Sequence, residues 1–122
     1  MKPVTRPAVL GDFLKIYGTP PDYRVRAIAG EVGGEVIAVG GIAFLPNGSH
    51  VAFLRADDKA RQFPMALHKA GLFIIKEARR LGIKRLVAYA EDGIEAAERW
   101  LKRLGFEPAE YDGQEVWVWE QR

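Results

Sequence analysis

The sequence predicts an α/β (α+β) fold: a central mixed, mostly antiparallel sheet with one parallel pair from a βαβ unit and helices on both faces. Three observations predict it. Residues 23–56 hold three runs of branched and aromatic residues joined by Gly33-Gly34 and Pro46-Asn47-Gly48, the pattern of an antiparallel meander. Residues 56–82 then carry a polar turn and a long amphipathic run, followed by an apolar run at 85–90, so strand, helix and strand succeed one another and the two strands should be parallel. A further helical segment around Trp100 leads to a hairpin turn at Asp112-Gly113.

Taken in order, residues 3–10 read as a short strand that Pro3 and Pro7 confine to an edge. Phe13 to Tyr17 read as a short helix, with Asp12 near its N-cap and Gly18 after its end. Thr19-Pro20-Pro21-Asp22 is a stiff connector. In 23–32, Tyr23, Val25, Ala27 and Ala29 alternate with Arg24, Arg26, Ile28 and Gly30, as in a half-buried strand. Gly40-Gly41, inside the return strand 35–44, implies a bulge or a close backbone approach. The strand 50–56 is apolar on both faces and therefore central.

The long helix should bury Leu67, Gly71, Ile74, Ala78 and Leu81, which follow the spacing of one stripe. Arg79 and Arg80 suit its C-terminal dipole, and Gly82 its C′ position. Asp92 with Glu95 resembles a capping box. The helix it opens should turn Ala97, Trp100, Leu101 and Leu104 inward, with i,i+4 pairs Glu95–Arg99 and Glu98–Lys102 outside. Pro108 blocks its continuation, and 115–120 is the closing strand.

A chain of 122 residues, 48% hydrophobic, suits a single domain spanning 1–122. With no cysteine, a disulfide framework and a thiolate metal site are excluded. His50 and His68 stand far apart without a carboxylate motif, so no metal is expected. No apolar run approaches the ~20 residues of a membrane span, and the first residues lack the apolar core of a signal peptide, so a cytoplasmic location is the default expectation. A net charge of +2 does not argue for nucleic acid. Ser49 sits in a turn, which argues against a Ser–His–Asp hydrolase.

The element order, and the run Glu95-Ala96-Ala97-Glu98-Arg99-Trp100-Leu101-Lys102-Arg103-Leu104-Gly105-Phe106 in particular, resembles the GNAT superfamily of acetyl-CoA-dependent N-acyltransferases, whose last helix ends in Leu-Gly-Phe. The resemblance covers residues 25–119. It implies acetyl-CoA as cofactor, lying between strands that splay near Ala56 and Ala90, and an amine as acceptor. Backbone groups of Ala56 and Asp57 would hold the pantetheine arm. The family's phosphate turn, Arg/Gln-x-x-Gly-x-Gly/Ala, falls on Arg61-Gln62-Phe63-Pro64-Met65-Ala66, so Arg61, Gln62, Met65 and Ala66 would hold the pyrophosphate. Pro64 occupies the central glycine, where it removes an N–H and adds a ring. A plainer reading makes Pro64 an ordinary first helical residue and Arg61 a solvated charge.

The family's early Asn and later proton-donating Tyr align with Ile94 and Leu101, neither of which can donate a proton. Candidate bases at the strand ends are Asp57, Asp58, Glu91 and Asp92, all equally suited to caps and turns, and Tyr89 could line a cleft between the strands. No catalytic residue is assigned. A second reading is a GNAT fold without catalysis that binds proteins, because the ending Trp100-Leu101-x-x-Leu104-Gly105-Phe106 also resembles compact GNAT-like proteins of tailed bacteriophages, some of them virion components. Two further features stay open: a basic cluster of Arg79, Arg80, Lys84 and Arg85, and a Trp117/Trp119 strand suited either to a homo-oligomer contact or to an internal place in the sheet.

Overall fold

The computed structural model describes residues 2–89 and 95–121. Its strands are β1 (Val4–Pro7), β2 (Arg24–Val32), β3 (Glu35–Phe44), β4 (His50–Ala56), β5 (Arg85–Ala88), β6 (Glu107–Tyr111) and β7 (Gln114–Glu120). They form one seven-stranded sheet in the order β1-β2-β3-β4-β5-β7-β6. Every neighbouring pair is antiparallel except β4 and β5. The helices are α1 (Leu10–Tyr17), α2 (Pro64–Arg80) and α3 (Glu95–Arg103), with a 3-10 turn at Asp58–Gln62 between β4 and α2. The expected mixed sheet with one parallel pair is the one found. The Trp117/Trp119 strand lies inside it, between β5 and β6.

The strand alternation sorts the two faces. Phe13, Ile16 and Tyr17 of α1 pack with Val25, Ala27, Ala29, Val39 and Phe53 on one. Ile74, Ile75 and Ala78 of α2, Leu101 of α3 and Leu104 just after it pack with Ile42, Leu86, Trp117 and Trp119 on the other. Three glycines permit close approaches, with Gly40 set against Leu54 and Phe53 of β4. A Cβ on Gly41 would collide with the backbone of Arg26 and Ala27, while one on Gly71 would meet Trp100 and Leu104 side-chain atoms at 2.8 Å. Gly40-Gly41 therefore marks a close approach, not a bulge; the register shift falls at Gly30/Glu31, with Ile37 the extra residue on β3.

Several local expectations change. The first strand is shorter than 3–10, and α1 begins at Leu10. Asp12 is the third helical residue and not the cap, and its carboxylate accepts from the Val9 N–H at 2.7 Å. It is buried because Arg6 reaches it with two hydrogen bonds, 2.7 and 2.9 Å, while Arg6 also donates to Glu31. Leu81 leaves the buried stripe: α2 ends at Arg80, the Ile83 N–H bonds back to the Ala78 carbonyl, and Ile83 takes the core place. Glu98 and Lys102 form no ion pair among the described residues, as fits an exposed pair worth a few tenths of a kcal/mol. Ala90, Glu91, Asp92, Ile94 and the Glu95 side chain lie outside what is described.

Candidate active site

The site is built where β4 and β5 part. Their register holds the pair Val51 with Val87, the second residue of β4 and the third of β5. Among the described residues no further pair follows. On its other side β4 is zipped to β3 through Ala56, and the Asp57 N–H extends the ladder to the Ile37 carbonyl at 2.9 Å. Antiparallel ladders alternate with a two-residue period. Arg55 and Phe53 therefore share the direction of Asp57, toward β3, and the main-chain groups of Leu54 and Ala56 face the other way, into the opening beside β5. A gap with strand-like donors and acceptors on one wall can hold an extended, amide-bearing chain by strand-type pairing.

The turn above the opening has its own order. The Asp57 carboxylate accepts from the Lys59 N–H at 3.0 Å, and the Asp57 carbonyl from the Ala60 N–H, which starts the 3-10 turn. Asp57 thus acts as a cap, with its N–H already committed to the sheet. Lys59 turns away to Glu35 at 2.6 Å, and Lys15 reaches the same carboxylate at 3.3 Å. The hydrogen bond from Lys59, then that from Lys15, hold the Glu35 carboxyl below the usual carboxylate range, and Glu35 raises Lys59 in return. Lys59 is therefore engaged, and Arg61 is the cation the turn presents to solvent. Its side chain is 82% exposed, 3.8 Å from that of Asp58. Gln62 is exposed beside it.

Pro64 occupies the first position of α2 with Phe63 as N-cap. Phe63 faces the sheet, lining an apolar cavity of about 40 Å³ with Ile28, Ala38 and Leu54. The Leu67 N–H bonds to the Phe63 carbonyl at 3.1 Å, so Met65 and Ala66 carry the N–H groups that the first turn of a helix leaves without helical acceptors. Met65 is exposed and Ala66 half-buried. Arg61, Gln62, Met65 and Ala66 are thus carried by one turn and the helix start after it, and Ala56 borders the opening below.

The proton-handling candidates fare differently. Leu101 is buried in the core between α3 and the sheet. Asp58 is fully solvated, its side chain 96% exposed. Tyr89 directly follows β5 and is exposed. Leu54 escapes a reading of the sequence, because its role depends on strand register and leaves no local signal. His68, expected only to be no metal ligand, lies on α2 and is half-buried. The His68 Nδ1 on α2 and the Trp100 Nε1 on α3 are buried without a partner among the described residues. Among the described residues no group of acidic or histidine side chains could hold a metal.

The fold has counterparts among solved structures. An N-acetyltransferase from Staphylococcus aureus superposes with a TM-score of 0.75 at 16% identity, covering 99% of this chain and 98% of that one. The chain has the GNAT fold. A GNAT family acetyltransferase from Elizabethkingia anophelis with acetyl-CoA bound matches with a TM-score of 0.70 at 14% identity over 98% of each chain. A Bacillus subtilis acetyltransferase in complex with CoA matches at 0.73 and 12% identity, over 99% of this chain and 100% of its own. No protein-family model and no curated protein sequence matches.

Proposed function

We propose that this GNAT-fold chain, one domain over 1–122, binds acetyl-CoA in the β4–β5 opening and transfers the acetyl group to a small amine. The observation that carries the proposal is that Val51–Val87 is the one β4–β5 pair among the described residues, which leaves the main-chain groups of Leu54 and Ala56, directed away from β3, on the open side. These groups pair with the pantetheine amides. The N–H groups of Met65 and Ala66, the dipole of α2 and the Arg61 guanidinium take the pyrophosphate, with Gln62 at its side. Asp57 shapes the turn as its cap. Acetyl-CoA supplies an activated thioester whose carbonyl carbon an amine attacks. The chain's own part is mainly positioning, a term that can account for ~7–11 kcal/mol of a barrier. Leu101 gives no proton to the leaving sulfur, so that proton comes from solvent or from the amine.

Pro64 and the buried Leu101 favour a second reading, in which the site holds the cofactor without turnover and the chain acts through protein partners, in the cytoplasm or in a virion. The experiment is a thermal melt with millimolar acetyl-CoA, followed by thiol release with an amine panel. A ligand specific to the native state at 100 times its Kd stabilises by about 2.7 kcal/mol, so a rise of several degrees is expected, with thiol release under the first reading and none under the second. An unchanged melt in both the wild type and Pro64→Gly, which restores an N–H donor, would exclude acetyl-CoA binding.

A further inference from the structure

The basic cluster at the α2–β5 junction is sorted by the structure into engaged and free members. Arg80 is held by Glu77 through two hydrogen bonds, 2.9 and 2.7 Å, and its guanidinium stabilises the Glu77 carboxylate. Arg79 lies over the Trp119 ring, 5.3 Å from its centroid. Lys84 and Arg85 have no ion-pair partner among the described residues, although the strand register sets Glu120 opposite Arg85. Both line a cleft of about 400 Å³ closed on its other side by the β3–β4 turn at Gly48, Ser49 and His50. Among the described residues no carboxylate lines it. The His50 ring packs edge-on against Phe44, and the Arg24 guanidinium lies over that same Phe44 ring at 5.5 Å. Gly48 and Gly82 border the cleft, and a Cβ added to either would meet nothing within 4 Å, so both walls leave room for a ligand, while their N–H groups bond to the Leu45 and Arg79 carbonyls.

We propose that this cleft binds a small phosphate-bearing molecule. The size falls within the range of small-ligand sites. Lys84 and Arg85, neither ion-paired among the described residues, line the cleft together with His50 and no acidic residue, a lining that selects an oxyanion. The site is distinct from the α2 N-terminus. It lies at the start of β4 and β5, while the turn into α2 follows the end of β4, about 23 Å away for seven residues at ~3.3 Å each. A ligand here bridges the two strands beside their described pair, Val51 with Val87.

Backbone amide NMR with inorganic pyrophosphate as probe separates the two sites, because each has its own reporters. The expected result is saturable movement of the Gly48, Ser49 and Gly82 amide signals. It should weaken at least tenfold in Lys84→Ala/Arg85→Ala and be unchanged in Arg61→Ala. Both cleft residues are exposed, so the double variant should melt with the wild type; if it does not fold, Arg85→Gln alone serves. Movement confined to Met65 and Ala66, or movement at Gly48 and Gly82 that survives loss of the cleft cations, overturns the proposal. So does a single-stranded oligonucleotide that binds more tightly than pyrophosphate with a steep salt dependence, which would make the surface a nucleic-acid patch.

Discussion

Arg6 and Asp12 show how one buried charge is made tolerable. Asp12 is 4% exposed, yet its carboxylate receives two bonds from Arg6 and one from the Val9 N–H. The Arg6 hydrogen bonds, aided by that of Val9, outweigh burial and lower the Asp12 pKa. A group whose folded pKa is depressed contributes stability that is present above its unfolded pKa, near 3.9, and is lost as pH falls through the folded value. The wild type should therefore lose stability on acidification below about pH 4. Asp12→Asn keeps the shape but removes the charge, and should cost about 2–3 kcal/mol at pH 7. Urea titrations across pH 2–7 check both points: the variant's acid limb should be flatter. Equal acid limbs in the two proteins would show that Asp12 carries no linked stability. By contrast Lys59–Glu35–Lys15 is solvated, with side chains 43–60% exposed, and surface pairs of this kind are worth little.

Gly41 and Gly71 both sit at tight contacts between elements, but the contacts differ in kind. Gly41 faces the backbone of β2, which cannot move without breaking the β2–β3 ladder. Gly71 faces the ends of Leu104 and Trp100, which can rotate. Gly41→Ala should therefore cost well over 3 kcal/mol or prevent folding. Gly71→Ala should cost about 1 kcal/mol, because overpacking is offset by up to ~1 kcal/mol of helix propensity. Thermal or urea unfolding of the two variants tests the contrast, and a Gly71→Ala protein less stable than Gly41→Ala would refute it. The same distinction explains what the sequence reveals. Alternation in β2, the turn glycines and the α2 stripe depend on local period, so the elements and their order are legible. Which of bulge or close approach Gly40-Gly41 marks depends on β2, so it is not. Likewise Arg61, Gln62, Met65 and Ala66 can be located by their turn, whereas Leu54 emerges only from the register of β4 on β3, and the fate of Asp57 only from its bond to Ile37.

For the molecule as a whole, the parted strands mean that the two parts of the sheet are joined less by hydrogen bonds than by packing. Strands β1 to β4 form one continuous antiparallel ladder, β5, β7 and β6 another, and Val51–Val87 is the described pair between them. The shared core spans the gap: Ile42 from one side meets Leu86, Trp117 and Trp119 from the other beneath α2 and α3. Such a joint leaves the main-chain edge of β4 open while side chains hold the shape, which is what a strand-pairing ligand requires. It also makes a sharp prediction for hydrogen exchange. Without ligand, the amides of Phe53 and Arg55, directed at β3, should exchange far more slowly than those of Leu54 and Ala56, directed at the opening. With acetyl-CoA bound, Leu54 and Ala56 should become protected, and Phe53 and Arg55 should change only through the overall gain in stability. Uniform protection along β4 would mean that the ligand stabilises the fold from elsewhere. Protection confined to Leu54 and Ala56 would place the extended chain of the ligand in the gap as the missing strand between the two ladders.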